Sequence, residues 1–425
     1  MPSRLKRVHH AAVIGLALCA LLQGCDKKPD AAPDTTPAAT PTAAPTAAPT
    51  KTATDTPVLS VPIQRDSHWI VEAHGADNKP YRVLLDTGAT HNILGDQGPL
   101  AAAPLTRESE AAFVRRGVMD EPTKDGTVGV TTATDPARFK LGLSPALRIQ
   151  GWSMPAGALA ITTDIARLAA TDDKPFDAIV GLESMRGLTW RADYVAGQLT
   201  AYAGEAPAHE WQQCAFMTVG TEQRIPVIQL NLGDESNYFG VDTGSAGEVD
   251  VPQDIFNGLA RAKHFDGLST TFSYDATTRF VPSQSGILAN LGIGPTKLPK
   301  LTVNGASSSL RIGLGVLQKM DRFEMDFRHY RFCFDLPATP RDSVLSKVGA
   351  ALLRSGDHYK VAAIAPDGRL AASGIKLGDE IAKVDQTPVS SLDELRLYDL
   401  LNMPATHSVT AQRGDKTLVV NLKPL

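Results

Sequence analysis

Over most of the chain the apolar residues come in short runs, such as Pro226 to Leu232 and Leu310 to Leu314, broken by Gly, Pro, Asn and Asp. That texture predicts strands joined by turns, with few helices. Two of the runs end alike. Val83-Leu-Leu-Asp-Thr-Gly-Ala-Thr90 and Phe239-Gly-Val-Asp-Thr-Gly-Ser245 each close on Asp-Thr-Gly, so a strand is predicted to deliver Asp86, and then Asp242, onto a tight turn. At ordinary residue usage a bare Asp-Thr-Gly should arise by chance on the order of 0.1 times in a chain of this length. Two copies behind similar apolar runs point to one shared site.

The segments 59–205 and 206–340 read as repeats. Ile70, Gly75, Tyr81 and Asp86-Thr-Gly answer to Ile228, Gly233, Tyr238 and Asp242-Thr-Gly. Leu141-Gly-Leu-Ser-Pro145 answers to Leu291-Gly-Ile-Gly-Pro295. Ile179-Val-Gly-Leu182 with Met185 answers to Ile312-Gly-Leu314 with Leu317, and Ala192-Asp-Tyr194 to Met325-Asp-Phe327. The expected fold is therefore mainly β, with two pseudo-twofold-related lobes that contribute one acid each. From 343 to 425 the texture changes. Apolar runs at Lys360 to Ala365, Glu380 to Val384 and Thr417 to Leu422 surround a helical pattern from Ser391 to Leu401, with Ser391 and Asp393 as caps. This reads as a separate small α/β module.

Before the repeats lie two segments of other character. Residues 1–24 have a basic start and an apolar run from Ala11 to Leu22, too short to span a bilayer as a stable helix, which reads as a signal peptide. Leu22-Gln-Gly-Cys25 resembles the lipobox of bacterial lipoproteins, which implies cleavage before Cys25 and a lipid on that cysteine. An ordinary secretory cleavage site is the alternative. Asp26 resembles a signal for retention in the inner membrane, so the expected location is the cell envelope, with the folded part in the periplasm. Residues 25–58 are rich in Pro, Ala and Thr and read as a semi-stiff tether. The net charge of −4, about −7 without the leader's Arg4, Lys6 and Arg7, argues against a nucleic-acid partner.

Two carboxylates at contact distance cannot both ionise; they share a proton and their apparent pKa values split. Such a pair can hold a water, take its proton as it attacks a peptide carbonyl, and protonate the oxyanion and the leaving amine. Gly88 and Gly244 would let backbone N–H groups approach the carboxylates. Thr87 and Thr243 carry short hydroxyls able to bond backbone across the junction. The mechanism asks for no cofactor.

These residues resemble the aspartic proteases of the retropepsin and pepsin superfamily, over roughly residues 59 to 340. VLLDTGATHNIL is similar to the retroviral signature and Ile179-Val-Gly-Leu182 to the later apolar-apolar-Gly element. The resemblance implies Asp86 and Asp242 as the catalytic pair, interlocked Thr87 and Thr243, polypeptide substrates, and a monomeric active unit, since both halves lie in one chain. Ser245 stands where the first motif has Ala89, which makes the second motif more pepsin-like and predicts an extra hydroxyl donor to one carboxylate. The late motif Arg311-Ile-Gly-Leu-Gly315 leaves open which glycine matches Gly181. Candidate flaps are Asp125-Gly-Thr-Val-Gly129 and the stretch with Phe272, Tyr274 and Phe280; ordinary surface hairpins are the alternative. Ala371-Ala-Ser-Gly-Ile-Lys-Leu-Gly-Asp-Glu-Ile381 resembles the PDZ domains attached to bacterial envelope proteases. That implies a groove for a peptide or protein C-terminus, with its carboxylate loop near Val348, Gly349 and Ala350; a module that only packs on the lobes is the alternative.

Cys214 and Cys333 lie in strand-like runs, as a disulfide or as two buried thiols. His91 reads as a wall residue rather than a base. Gly292-Ile-Gly-Pro-Thr-Lys297 lacks phosphate-loop spacing and reads as a turn. No His/Cys cluster has the spacing of a metal site. The leading expectation is an aspartic endopeptidase whose PDZ module recruits or regulates; the alternative is a non-catalytic envelope scaffold that binds peptides.

Overall fold

The computed structural model describes residues 56–65, 67–116, 118, 126–131, 136–169, 175–220, 224–232, 235–274, 280–307, 309–392, 394–406 and 408–424. The leader, Cys25, Asp26 and nearly all of the tether lie outside them, as do Asp125, Gly233 and Asp393. The architecture is mainly β, with three sheets among the described residues. No described helix is long and apolar enough to cross a membrane.

Two of the sheets repeat one order of pairing. In the first, Pro80–Asp86 lies antiparallel to Ile70–His74 and parallel to Ala178–Gly181, which runs antiparallel to Asn92–Gly95. Asn92–Gly95 is parallel to Leu159–Thr163, which pairs with Pro136–Leu143. In the second, Glu235–Asp242 stands in the place of Pro80–Asp86, flanked by Pro226–Leu232 and Arg311–Gly313. Val249–Pro252, Leu301–Ser307 and Phe280–Leu288 continue in the same order. Thr189–Asp193 and Arg322–Asp326 pair antiparallel with each other, Arg191 opposite Glu324, and the two side chains bond at 2.9 Å between Nε and Oε2.

The registers correct two of the sequence matches. Ile70 faces Leu84, two residues before Asp86, whereas Ile228 faces Phe239, three before Asp242; the counterpart of Ile228 is Val71. Tyr81 and Tyr238 stand five and four residues before their acids. Side chains alternate along a strand, so this single step puts Tyr81 inside at 9% exposure and Tyr238 outside at 59%. Leu141-Gly-Leu-Ser-Pro145 does not match Leu291-Gly-Ile-Gly-Pro295 either. Leu291–Ile293 pairs with Pro226–Leu232 and turns back through Gly294, at φ 56°, onto Thr296–Lys297. The strand that pairs so in the first sheet is Leu147–Ile149, which turns through Gln150 at φ 51°. The two later matches fall on equivalent positions: Gly181 pairs with Asp86 and Gly313 with Asp242, which makes Gly313 rather than Gly315 the counterpart of Gly181.

Alternation also builds the core. Val83, Leu85 and Val180 from the first sheet, and Phe239, Val241 and Ile312 from the second, point into one apolar cluster that includes Trp69, Trp190, Phe323 and Phe332. The third sheet, Ala350–Ser355, His358–Ile364, Glu380–Val384, Ser408–Arg413 and Lys416–Asn421, has its own core around Tyr359, Ile381, Leu397 and Val409. Its helix is Glu394–Asn402. Ser391 is not the cap: it ends a 3-10 turn, Val389–Ser391, and its hydroxyl donates to the Pro388 carbonyl at 2.8 Å. Asp367, between strands of this part, accepts from the Thr270 hydroxyl of Phe265–Tyr274 at 2.9 Å.

Candidate active site

The two Asp-Thr-Gly corners meet. A Cβ built on Gly88 would overlap the Asp242 carboxylate, and one on Gly244 would overlap the Asp86 carboxylate, so each glycine is the seat for the other corner's acid. Each carboxylate is also held by its own turn. Asp86 Oδ1 accepts from Gly88 N (2.7 Å) and Ala89 N (3.2 Å), and Asp242 Oδ1 from Gly244 N (3.0 Å) and Ser245 N (3.1 Å). Behind them the threonines interlock. Thr87 N donates to Thr243 Oγ1 at 3.0 Å and Thr243 N to Thr87 Oγ1 at 3.1 Å, while the hydroxyls donate to Val241 O (2.6 Å) and Leu85 O (2.9 Å). Both threonines are fully buried, so every one of these bonds is shielded from water.

The strands paired with the two acids complete the support. A Cβ on Gly181 would overlap the carbonyls of Ala89 and His91, and one on Gly313 that of Gly247. Only glycine lets the late strand lie against the chain that leaves each acid. Burial, and then the negative charge of Asp242, push Asp86 up from the ordinary carboxylate range to about 7, against the opposing effect of the Gly88 and Ala89 N–H groups. That shift favours the protonated form of Asp86 over that of an ordinary carboxyl.

The site is asymmetric in a way the motifs do not announce. Arg311 Nη1 is 3.1 Å from Asp242 Oδ2, and Arg311 Nε donates to Ser309 Oγ at 2.9 Å. A cross-strand row of polar groups begins there: Gly240 faces Arg311, Arg311 faces Asp250, Asp250 faces Asn304, and Asn304 faces Ser285. Asn304 Nδ2 donates to Asp250 Oδ1 at 3.1 Å and Ser285 Oγ to Asn304 Oδ1 at 2.5 Å. Burial raises the Asp250 pKa, with the charge of Asp242 adding to it and the Asn304 bond and Arg311 opposing. The same register positions of the first sheet hold Leu84, Ile179, Ile93, Ile161 and Leu141, all apolar. Arg311, Asp250 and Asn304 were not among the residues expected at the site. The signal was present, since Arg311 breaks the apolar-apolar-Gly pattern that Ile179-Val-Gly181 keeps.

The Ser245 hydroxyl does not donate to a carboxylate; it accepts from Gly247 N at 3.3 Å, and the extra donor on Asp242 is Arg311. His91 Nδ1 is 2.9 Å from Glu183 Oε2. Cys214 and Cys333 sit opposite each other on neighbouring strands and form a disulfide. Gly126 to Gly129 lead into and lie on Thr127–Thr131, paired antiparallel with Pro136–Leu143, and Phe272 and Tyr274 lie on Phe265–Tyr274, paired antiparallel with Phe280–Leu288; the residues that join each pair lie outside the described ones.

Val348 and Ala350 are buried, and Gly349, at φ 63°, packs on Gly368. Val348 O and Gly349 O accept from Leu370 N and Ala365 N. The backbone beside this loop is already engaged, because Tyr398 OH donates to Ala350 O (2.9 Å) and accepts from Leu352 N (3.1 Å). Among the described residues no group of three or more His, Cys, Asp and Glu is placed to hold a metal ion.

A pair of carboxylates, one with a raised pKa and one paired with a cation, on rigid turns at the junction of two sheets can activate a water and donate a proton from the same place. Neither a protein-family model nor a curated protein matches the chain.

Proposed function

We propose that the chain is an aspartic endopeptidase, with two lobes of the retropepsin and pepsin type and a C-terminal module of PDZ type that recruits or regulates. The observation that carries this reading is the reciprocal seating of the acids, each held by its own turn's N–H groups and lodged on the other turn's glycine. In the reaction, Asp242 accepts a proton from a water held between the carboxylates as the water oxygen bonds to the peptide carbonyl carbon. Asp86 donates its proton to the carbonyl oxygen. The tetrahedral intermediate then collapses: the oxygen returns a proton to Asp86, the nitrogen takes the one on Asp242, and the C–N bond breaks. The pair ends as it began.

The leader and Cys25 extend the proposal to a lipid-anchored protein of the bacterial envelope that acts on polypeptides in the periplasm. A non-catalytic peptide-binding scaffold is the second reading, and the Arg311–Asp242 ion pair favours it, because it occupies an oxygen of one acid.

The test is the full chain in mild detergent, beside Asp86→Asn and Asp242→Asn, on a mixed peptide library read by mass spectrometry. Cleavage by the parent is expected, blocked by a statine-type transition-state mimic and reduced at least about 10³-fold in each variant. Cleavage that survives either substitution rules the shared-acid mechanism out.

A further inference from the structure

Resting on that reading of the site, we propose that Arg311 sets its specificity, selecting peptides with an Asp or Glu side chain beside the scissile bond on the Asp242 side. The guanidinium stands against the dyad, and the Arg311 side chain keeps 34% of its surface exposed although its partners Asp242 and Ser309 are buried. Its Nε is used by Ser309 and its Nη1 by Asp242; among the described residues Nη2 makes no hydrogen bond. An arginine presents its donors as a fork that fits a carboxylate, and a charge-assisted bond of this kind is roughly twice as strong as one to a neutral amide. A substrate carboxylate on the Nη2 edge leaves the Nη1 bond to Asp242 in place, so recognition does not dismantle the dyad.

The other groups of the row do not compete for that edge. Asp250 is held by Asn304, and Asn304 by Ser285, each at hydrogen-bond distance. Arg311 and Asp250 face each other across the ladder with no hydrogen bond between them among the described residues. A lysine or arginine of the substrate would meet the like charge of Arg311. A large apolar side chain would strip water from a guanidinium that has no further protein partner. At the Asp86 corner the corresponding position is Ile179, 4% exposed and surrounded by Leu84, Phe176 and Ala89. That position offers a substrate no charged group. The site is thus built to take an acidic residue on one side of the cut only, with the order along the peptide set by its direction across the lobes.

The experiment compares the parent with Arg311→Leu and Arg311→Lys on matched peptides that carry Glu, Gln, Leu or Lys at each position flanking the cut. The proposal predicts that the parent prefers Glu over Leu by about tenfold or more in kcat/KM at one flanking position only. Arg311→Leu should abolish or reverse that ratio, and Arg311→Lys should keep its sign at reduced size. A ratio is read because a variant that merely destabilises the fold lowers all substrates together. The same peptides are titrated, by anisotropy, onto chains that carry Asp86→Asn. If no peptide is cut but Glu peptides bind in an Arg311-dependent way, the specificity site stands and the endopeptidase reading falls. If the parent cuts with an apolar preference on both sides, or if Arg311→Leu leaves the Glu-to-Leu ratio unchanged, the proposal is overturned. Absence of both cleavage and selective binding overturns it as well.

Discussion

The row Leu84, Ile179, Ile93, Ile161, Leu141 and the row Gly240, Arg311, Asp250, Asn304, Ser285 occupy matching registers beside two like corners, yet share no side chain. On the opposite face of the same strands the match is close: Val180 and Ile312 are both buried in the common core, and Leu85 and Val241 likewise. The inner face must be apolar in both halves because it fills one core, and that requirement maintains the pairing. The outer face answers only to what it touches. A guanidinium is sustained there because Asp242 and Asp250 come with it, and an amide because Asp250 and Ser285 come with it. Polar groups at such a face arrive as a set.

Moving one member of a set exposes how far the rest depend on it. Ile93→Asp places in the first row the acid that the second row has at Asp250, but among Leu84, Phe176 and Ile179, with neither an arginine nor an amide opposite. It should cost about 3–5 kcal/mol in urea unfolding, as an uncompensated buried charge or a forced protonation does. Asp250→Ile is the converse. It leaves Arg311 its bond to Asp242, and should cost no more than about half as much. Equal costs would mean that the rows are not sets.

A smaller difference lies at the outer strands. Cys214 and Cys333 are cross-strand partners joined by a disulfide, whereas the corresponding partners of the first half are Ser60 and Thr200. Replacing the first pair by the second, with Cys214→Ser and Cys333→Thr, should lower stability by about 2–4 kcal/mol and leave any cleavage preference unchanged. The check is a denaturation curve with and without reductant, in which the variant should be insensitive to reductant and the parent should fall to its level.

Much of the site was legible because it rests on local chemistry. Asp-Thr-Gly, read twice behind apolar runs, implied the turns and the N–H bonds to each acid, which depend on residues within three positions, and the crossed threonines, which need only that the two turns meet. Gly313 was the ambiguous one, and strand pairing decided it: Gly313 lies opposite Asp242 as Gly181 lies opposite Asp86, whereas Gly315 is in the helical turn that follows. The failures were of register. A match between Tyr81 and Tyr238 ignored that one residue of offset reverses the face, and a glycine-rich string at Leu291 to Pro295 was paired with a look-alike. Its true counterpart has Gln150 in the left-handed turn, a conformation glycine adopts more readily. The polar row was missed because its members are far apart in sequence and become neighbours only through the sheet. An Arg in one late motif, an Asp, an Asn and a Ser are each unremarked alone.

The central claim is that one proton is shared by the pair and rests on Asp86. The most direct measurement is the pH dependence of kcat/KM for a peptide the parent cleaves, from pH 5 to 9, beside Asp86→Asn. Since burial and the Asp242 charge raise Asp86 to about 7, its proton is retained below that pH and lost above it. The account predicts a plateau that gives way, near pH 7, to a fall of about tenfold per pH unit, and no cleavage by Asp86→Asn at any pH. A rate that stays level or climbs through pH 9, or cleavage that persists in Asp86→Asn, would contradict it.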